Sequence, residues 1–361
     1  MTTIQFNCLT YNVGGTQDTM KLMEDNADRI SDEKIKNLIA AYKKDARPFE
    51  EPAKLFREVA ENHYKALTER VVPGILEQSQ ADFICFQELY VNNTEKKQLG
   101  DKVKAAGYEL YGDRDVAVAF KKDKYKFIQQ GITNNQRGAL FVDVQDKKSG
   151  KIIRIVSDHV AGFGVQGQKN TNKSLRENKN LITGEPLTER ERKGAEENKK
   201  TPRDGDANLG KTLKKLNRKT TGLWARISNF FFKDPDVIVC GLDANATAKY
   251  VDKEFRAHPK RLRQFEAAGY ICDQNDKRPT ILDHGDNKPR KYDYIFVKPQ
   301  TGQAQITSRP LDIELGNYQK SLSDHIPVVA QVKVDFPARP SRWEVLSSFI
   351  GSFFSSIFSR K

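Results

Sequence analysis

The chain has 361 residues, of which 37% are hydrophobic and 30% are charged, which indicates a soluble chain that can still bury the core of one large domain or two ordinary ones. Its formal net charge of +13 favours anionic partners, which include nucleic acid, an acidic membrane and a phosphorylated substrate, without choosing among them. The cysteines are too scattered for a disulfide framework or a zinc site.

All four cysteines are expected to be reduced, as in a cytosol-like compartment, and three of them fall inside predicted strands. They are Cys8, Cys85, Cys240 and Cys272. The N-terminal residues have no basic region followed by an apolar stretch, so no secretory signal is expected. We therefore predict a cytoplasmic protein.

The first half of the chain alternates predicted strands with helical segments. Ile4 to Val13 is rich in strand formers, residues 16–53 are polar and predict short helices, and Leu55 to Gln78 has helical spacing, with Pro73-Gly74 expected to kink or break it. Four further strands are predicted before residue 157. They are Ala81–Phe86, Val116–Phe120, Ala139–Val144 and Lys151–Val156.

The second half begins with a change of texture. Gly164 to Asp206 is charged and poor in apolar residues, which predicts a solvated surface insertion. An apolar helical stripe then runs from Leu209 to Phe231, with a lysine-rich outer face at residues 211–219. Strands are predicted at Asp236–Cys240, Tyr292–Val297 and after Pro327, with a helix at Phe255–Ala268.

Six of the predicted strands begin or end at side chains that can bind a hard cation, hold a phosphate oxygen or move a proton. These residues are Asn12, Glu88, His159, Asp243, Asn245, Asp293, Asp324 and His325. One such junction is weak evidence, because Asp-His before a strand is commonly a hydrogen-bonded turn. Their recurrence at nearly every long strand predicts a shared site.

The order of these junctions resembles the endonuclease/exonuclease/phosphatase superfamily, over residues 4–334. The motifs that carry the resemblance are Tyr11-Asn12-Val13-Gly14, Phe86-Gln87-Glu88, His159 after a strand, Asp243-x-Asn245, Asp293-Tyr294-Ile295-Phe296 and Ser323-Asp324-His325-x-Pro327. The resemblance implies an α/β fold, a two-sheet α/β/β/α sandwich (DNase I-like). It gives a catalytic domain over residues 1–336, with insertions at about 16–79 and 164–206.

The resemblance also implies hydrolysis of phosphate esters by in-line attack of water, helped by Mg²⁺, with Mn²⁺ as a second candidate. It implies a metal site formed by Glu88, Asn12 and Asp324. It assigns Asp243 to the attacking water and Asn245 to a phosphate oxygen. It makes His325, oriented by Asp293, and His159 the imidazoles that face the phosphate and leaving group. The chemistry agrees, since Mg²⁺ needs few carboxylates and cationic groups offset the charge of the phosphoryl centre.

Several positions depart from the family pattern. Leu242 stands where the family has a glycine directly before the Asp-x-Asn motif, which suggests a shifted strand end. Gly14 stands where some members have a second acidic residue. Asp158 is interpreted as a hydrogen-bonding neighbour of His159, and His63 is expected on the surface of a helix.

Residues 337–361 form a predicted linker and tail. After Pro337 and Pro340, apolar residues recur at i, i+3 and i+4 spacing with serine and glycine between them, which predicts a C-terminal amphipathic helix. The stretch is shorter than the ~20 residues that span a bilayer. We therefore predict peripheral binding to an anionic membrane surface. The alternative is a helix docked on the protein's own core.

Three functions remain open. The first is a phosphoesterase acting on a membrane phospholipid headgroup, sphingomyelinase-like or phosphoinositide phosphatase-like, although the Trp-Cys-Asp-Arg type of motif of inositol polyphosphate 5-phosphatases is absent. The second is a nuclease acting on DNA or RNA. The third is an inactive, membrane-recruited binding module. We expect a monomer, and a cytosolic chain with a membrane-seeking tail would suit a protein delivered into a host cell.

Overall fold

The computed structural model describes residues 1–25, 27–45, 54–89, 94–133, 139–160, 205–217, 234–245, 259–273, 278–281, 291–311 and 322–338, with a few more residues between 175 and 196 and at 275. The predicted tail helix and most of the predicted insertion at 164–206 lie outside these residues. Within the described part of the chain, no helix is long and apolar enough to cross a membrane.

Eleven strands are described. They are β1 Thr2–Asn12, β2 Phe83–Gln87, β3 Tyr108–Asp113, β4 Val116–Lys121, β5 Tyr125–Ile132, β6 Leu140–Asp146, β7 Ile152–His159, β8 Val237–Asp243, β9 Asp293–Pro299, β10 Gln303–Pro310 and β11 Val328–Phe336. They form a six-stranded sheet in the order β10-β11-β1-β2-β4-β3 and a five-stranded sheet in the order β5-β6-β7-β8-β9.

The helices flank these sheets. They are α1 Thr16–Asp25, α2 Glu33–Asp45, α3 Lys54–Ala66, α4 Val72–Ser79, α5 Thr94–Ala105, α6 Gly205–Leu216 and α7 Pro259–Ala267, with a 3₁₀ turn at Ala27–Arg29 and a π-helical turn at Leu67–Val71. The irregularity expected at Pro73-Gly74 is this π turn, which ends two residues before Pro73. Pro73 lies in the first turn of α4 and has no N–H to donate to the preceding turn.

Three apolar layers hold the elements together. The inner faces of the two sheets bury side chains such as Phe6, Phe83 and Val239 against one another. Helices α1 to α5 cover the outer face of the six-stranded sheet, and α6 and α7 cover the five-stranded one. Burying one phenylalanine fully contributes about 1.5–3 kcal/mol. The result is the predicted four-layer α/β/β/α sandwich.

The predicted strands are confirmed for the interior of both sheets and for β9, but β3, β5 and β10 were missed. All three missed strands lie at sheet edges. Most of their side chains are half-buried or exposed, as in the alternating exposure of β10. An edge strand has fewer apolar neighbours to cover, so its sequence lacks the apolar run that predicts a central strand.

Strand direction brings the polar junctions to one rim. β1 and β2 are parallel, and so are β7 and β8, so their C-terminal ends meet there. β9 and β11 run antiparallel to these neighbours and begin at the same rim. Just beneath it, the buried Gln87 amide donates hydrogen bonds to Ser157 Oγ and the Gly241 carbonyl oxygen, both at 3.2 Å, which links the two sheets.

Candidate active site

The centre of the rim is Asp243, the last residue of β8, which is 1% exposed. Its Oδ2 accepts hydrogen bonds from the side-chain amides of Asn12, at 3.1 Å, and Asn245, at 3.2 Å. Its Oδ1 accepts the backbone N–H of Asn245 at 2.8 Å. These bonds hold the carboxylate in one orientation.

The register explains why Leu242 does not displace this carboxylate. Asp243 pairs across the sheet with His159 on one side and Asp293 on the other. Leu242 points to the opposite face, into the apolar layer beneath α6 and α7. The shifted strand end suggested by the departure from the family glycine is therefore absent at this position.

His325 lies beside Asp243 and is paired with its own carboxylate. Its Nδ1 is 2.9 Å from Asp293 Oδ2, and its Nε2 is 3.8 Å from Asp243 Oδ2. Burial lowers the pKa of His325, but the negative charges of Asp293, Asp324 and Asp243 outweigh it and hold that pKa well above its ordinary value. Burial also raises the pKa of Asp293, which His325 opposes. The pair is thus built to keep a proton on the imidazole.

Thr280 supports this pair from below. Its Oγ1 accepts the backbone N–H groups of Tyr292, at 2.9 Å, and Asp293, at 3.0 Å. Its carbonyl oxygen accepts the N–H of Ile326 at 2.7 Å. One buried threonine therefore fixes the backbone on both sides of the Asp293–His325 hydrogen bond, a role that the sequence did not suggest.

His159, at the end of β7, forms a second pair of the same kind with Asp115. Its Nδ1 is 3.0 Å from Asp115 Oδ2, and its Nε2 is 3.7 Å from Asp243 Oδ2 and 3.9 Å from Glu88 Oε1. Burial lowers the pKa of His159, whereas the hydrogen bond to Asp115 and the charges of Asp243 and Glu88 raise it, to a net value of about 9.

Sequence reasoning missed Asp115. It directly precedes β4, and β4 runs antiparallel to β2, with Val116 opposite Gln87, so this turn also reaches the rim. The signal was the one used elsewhere, a carboxylate at the mouth of an apolar strand. Asp158, by contrast, alternates with His159 to the other face of β7, where its negative charge adds to burial in raising the pKa of Cys240. Its interpretation as a hydrogen-bonding neighbour of His159 stays a prediction.

Glu88 and Asn12 stand next to Asp243. Glu88 follows β2 with a left-handed φ of 58°, an uncommon conformation for this residue type, and its Oε1 accepts a hydrogen bond from Asn12 Nδ2 at 3.2 Å. Asn12 Oδ1 in turn accepts the N–H of Gly14 at 2.8 Å. Asn12 therefore links the predicted metal ligand Glu88 to Asp243.

Asp324 reaches the same place from the loop before β11. A Cβ added at Gly14 would lie 2.9 Å from Ser323 Oγ and 3.0 Å from Asp324 Oδ1, and Gly14 has a φ of +71°. Ser323 Oγ donates to the Asn12 carbonyl oxygen at 2.9 Å and accepts the His325 N–H at 3.1 Å. The glycine is needed because Asp324 occupies the space of a side chain there.

Asn245 is at the rim but its amide is engaged. Nδ2 donates to the Val160 carbonyl oxygen at 3.0 Å and to Asp243 Oδ2 at 3.2 Å. Holding a phosphate oxygen would require one of these bonds to be exchanged. The structure thus gives Asn245 a part in fixing Asp243, and its contact with phosphate stays a prediction.

The composition of the cluster fits a divalent cation. Five carboxylates meet two imidazoles, so the cluster stays negative even when both histidines are protonated. The acids are Glu88, Asp115, Asp243, Asp293 and Asp324. Carboxylate and amide oxygens are the donors that Mg²⁺ and Mn²⁺ accept.

Two different sets of residues in this cluster could hold the ion. Asp243, Asp293 and His325 offer ligand atoms within 4.8 Å of one another, a set different from the predicted Glu88, Asn12 and Asp324. Because His325 Nδ1 and Asp293 Oδ2 already share a hydrogen bond, we assign the first set to proton handling. Glu88, Asn12 and Asp324 stay the predicted metal ligands.

The prediction that His63 lies on the surface of a helix is wrong. It lies in α3, is 0% exposed, and both of its ring nitrogens have hydrogen-bonding partners. Helical spacing alone did not show that α3 is covered by α2 and by the loop before His325. The cysteines are free as predicted, with Cys8, Cys85 and Cys240 buried and Cys272 half-buried.

Comparison with solved structures identifies the fold. The chain is similar to an endonuclease/exonuclease/phosphatase family protein from Bacteroides thetaiotaomicron, with 12% identity, a TM-score of 0.50 and coverage of 93% of this chain and all of that one. It also matches the endonuclease/exonuclease/phosphatase from Bacteroides vulgatus, at 13% identity, TM-score 0.49 and coverage of 92% and 100%.

A third match is the human Nocturnin catalytic domain with bound sulfate, at 12% identity, TM-score 0.48 and coverage of 92% and 97%. No protein-family model and no curated protein matches the chain. At such low identity the likeness concerns the fold alone, and the first of the three carries it. The chain has the DNase I-like fold of the endonuclease/exonuclease/phosphatase superfamily, as its motifs implied.

Proposed function

We propose that this protein is a divalent-metal-dependent phosphoric ester hydrolase that acts on the headgroup of a membrane phospholipid. One observation carries the hydrolase part: two imidazoles, each hydrogen-bonded to its own carboxylate, direct their Nε2 atoms to the same side of Asp243. A phosphoryl centre needs a positioned water and cationic hydrogen-bond donors. In this cluster Asp243 is the carboxylate that would position the water, and the two imidazoles are the donors.

Each residue has a defined task in this proposal. Asp243 orients the attacking water and accepts its proton. His325 and His159, kept protonated by Asp293 and Asp115, donate from Nε2 to phosphate oxygens or to the leaving oxygen. Glu88, Asn12 and Asp324 would hold Mg²⁺ or Mn²⁺, which when bound withdraws charge from the phosphate. The hydrogen bonds of Asn12 to Glu88 and Asp243 fix the metal ligand Glu88 relative to the carboxylate that orients the water.

The lipid substrate is supported by the sequence of the tail and by the basic character of the chain. Residues 341–361 combine seven regularly spaced bulky apolar residues with flanking arginines and a lysine, a pattern typical of in-plane membrane binding. A net charge of +13 adds attraction to anionic lipid. We propose that the tail holds the site at a bilayer from the cytoplasmic side and that the enzyme acts as a monomer.

A second candidate, a nuclease, is favoured by α6. Its apolar residues Leu209, Leu213 and Leu216 are buried, while Lys211, Lys214 and Lys215 are exposed on the opposite face. A row of lysines suits a phosphate backbone. No aromatic residues alternate with these lysines, so the helix offers no surface for base stacking.

The deciding experiment measures product release with Mg²⁺ for the wild type and His325→Ala. The substrates are sphingomyelin and phosphoinositide liposomes beside single- and double-stranded DNA and RNA. Turnover of a lipid by the wild type alone supports the proposal. Cleavage of nucleic acid by the wild type alone supports the nuclease. Equal turnover by both proteins would contradict hydrolysis at this site, and no turnover by either would favour the inactive binding module.

The membrane part has its own test. Deleting residues 341–361 should abolish co-sedimentation with anionic liposomes while leaving the melting temperature of the domain unchanged. In the full chain, Phe353→Ser with Phe354→Ser should weaken binding, whereas the matched pair Ser355→Ala and Ser356→Ala should not. Liposome binding that survives the deletion would overturn this part and leave the hydrolase proposal standing.

A further inference from the structure

The buried His63 contacts the loop that leads to Asp324 and His325, although it has no role in the proposed hydrolysis. Its Nε2 lies 2.8 Å from the carbonyl oxygen of Leu322, and its Nδ1 lies 3.3 Å from Thr16 Oγ1. A carbonyl oxygen only accepts, so Nε2 carries the proton and donates. A ring with no solvent exposure and both nitrogens engaged is held in one orientation.

Leu322 has a strained backbone conformation at a buried position. Its φ is 47°, in the left-handed region that leucine rarely adopts, and its side chain is fully buried. Such a conformation persists where surrounding contacts fix it. The next three residues are Ser323, Asp324 and His325, so the direction of the chain at Leu322 sets where Asp324 and His325 point.

The neighbouring residue on α3 contacts the opposite loop. Tyr64 donates from its hydroxyl to the Gly14 carbonyl oxygen at 3.2 Å. Gly14 is the residue against which Asp324 Oδ1 lies, and its N–H binds Asn12 Oδ1. Two consecutive residues of one helix therefore contact the loop that follows the predicted metal ligand Asn12 and the loop that carries the predicted ligand Asp324.

We propose that His63 is a positioning residue of the active site. Helix α3, in the insertion at about residues 16–79, then supports the active site in addition to covering the outer face of the six-stranded sheet. His63 touches no reacting atom and acts through the Leu322 carbonyl. The inference rests on the proposed hydrolase function for its kinetic consequence, but its structural consequence, the placement of His325, can be measured without any substrate.

Two substitutions separate the contacts of the ring. In His63→Gln the amide nitrogen extends to about where Nε2 lies and can still donate to Leu322. In His63→Asn the shorter amide reaches only the Nδ1 position, near Thr16. The matched control is Thr68→Val, since the buried Thr68 hydroxyl has no hydrogen-bond partner in the described part of the chain. Each variant is made in the full chain and its melting temperature is recorded.

The kinetic readout compares kcat with KM on the substrate that the wild type cleaves. His63→Asn should lower kcat by about 10- to 100-fold with KM within about twofold, because a displacement near 1 Å costs rates of this size. His63→Gln should recover most of kcat, and Thr68→Val should match the wild type. A wild-type kcat in His63→Asn, or equal losses in the Gln and Asn variants, would overturn the proposal.

The second readout is the side-chain NMR signal of the His325 Nδ1–H proton, which we expect the 2.9 Å hydrogen bond to Asp293 Oδ2 to protect from exchange with solvent. It should broaden or shift in His63→Asn and stay at the wild-type position in His63→Gln and Thr68→Val. An unshifted signal in His63→Asn would refute the positioning role. If the wild type hydrolyses none of the substrates, the hydrolase proposal fails while this signal still decides for or against His63.

Discussion

His159 and His325 approach the same oxygen of Asp243 from the two different sheets of the sandwich. His159 ends β7 of the five-stranded sheet, and His325 precedes β11 of the six-stranded one; their Nε2 atoms lie 3.7 and 3.8 Å from Asp243 Oδ2. Neither sheet alone can form the cluster. The site therefore depends on the packing between the sheets, to which the Gln87 hydrogen bonds contribute directly beneath Glu88.

Asp243→Asn should lower kcat by about 10²- to 10⁴-fold, the range of a lost general base, while the protein stays folded. The asparagine keeps the size of the side chain but removes the charge that both imidazoles face. The measurement is kcat on the cleaved substrate, with circular dichroism as the folding check. Asp158→Asn is the matched control, since this carboxylate lies one strand away on the other face of the sheet; an equal loss there would contradict the role of Asp243.

Asp115→Asn should lower the pKa of His159 from about 9 towards its ordinary value of 6.5, because the carboxylate that binds Nδ1 is lost. The folded pKa exceeds the unfolded one, so the stability from this pair is complete below about pH 6.5 and is lost as the pH rises through 9. NMR titration of the imidazole in EDTA-treated protein measures the pKa. Urea unfolding of both proteins should differ most at low pH, and a constant difference up to pH 10 would argue against the assignment.

The sequence predicts the site residues that follow buried, apolar strands, but not those that depend on contacts between distant parts of the chain. Asn12 and Asp243 end strands whose last residues are all buried, and Glu88 directly follows such a strand, so a polar side chain after the apolar run stands out at each position. Asp115 lies between the edge strand β3 and β4. The apolar run that begins at Val116 predicted β4, but because the pattern of β3 is weak, the sequence did not single out the carboxylate just before that run. The pairing of β2 with β4, which brings Asp115 to His159, has no signal in a single sequence.

The same holds for His63. Histidine is intermediate in its tendency to be buried, so its residue type does not decide the exposure of His63. The packing of α3 against α2 and the loop at Leu322 buries it. The role of Thr280 likewise depends on its meeting both Asp293 and Ile326, which are distant in sequence. Long-range contacts of this kind decide which polar residues support the site, whereas local patterns decide only which residues reach the rim.

Gly14→Ala should destabilise the domain by about 2–4 kcal/mol, from the left-handed φ and from overlap with its neighbours. Its added Cβ would lie 2.9 Å from Ser323 Oγ and 3.0 Å from Asp324 Oδ1. Gly150→Ala is the matched control, because its φ of +69° is nearly the same while the nearest atom to a Cβ there is 3.9 Å away. Gly150→Ala should cost only about 1 kcal/mol. Equal unfolding free energies for the two variants would contradict close packing of Ser323 and Asp324 against Gly14.

Asp32→Asn should weaken the domain in a pH-dependent way. Asp32 forms an ion pair with Arg70 in the π turn and caps α2, accepting the N–H groups of Lys34 and Ile35. The Arg70 contact first, and then the cap hydrogen bonds, hold the pKa of Asp32 below its ordinary value of 3.8. Asparagine is an equally good cap, so the substitution removes only the charge. Because the folded pKa is lowered, the contribution of the charge is present above pH 3.8 and is lost as the pH falls through the folded value.

The unfolding free energies of the wild type and Asp32→Asn should therefore differ by up to about 1 kcal/mol at pH 6, since the pair is partly solvent-exposed, and converge as the pH falls through the folded pKa of Asp32. Urea titrations at several pH values and constant ionic strength measure this. Glu33→Gln is the control: it removes a neighbouring acid whose contact with Lys36 is 3.8 Å long and largely exposed, and it should leave stability unchanged. A difference for Asp32→Asn that stays unchanged as the pH is lowered well below 3.8 would mean that the asparagine caps the helix less well, and that the Arg70 ion pair contributes nothing.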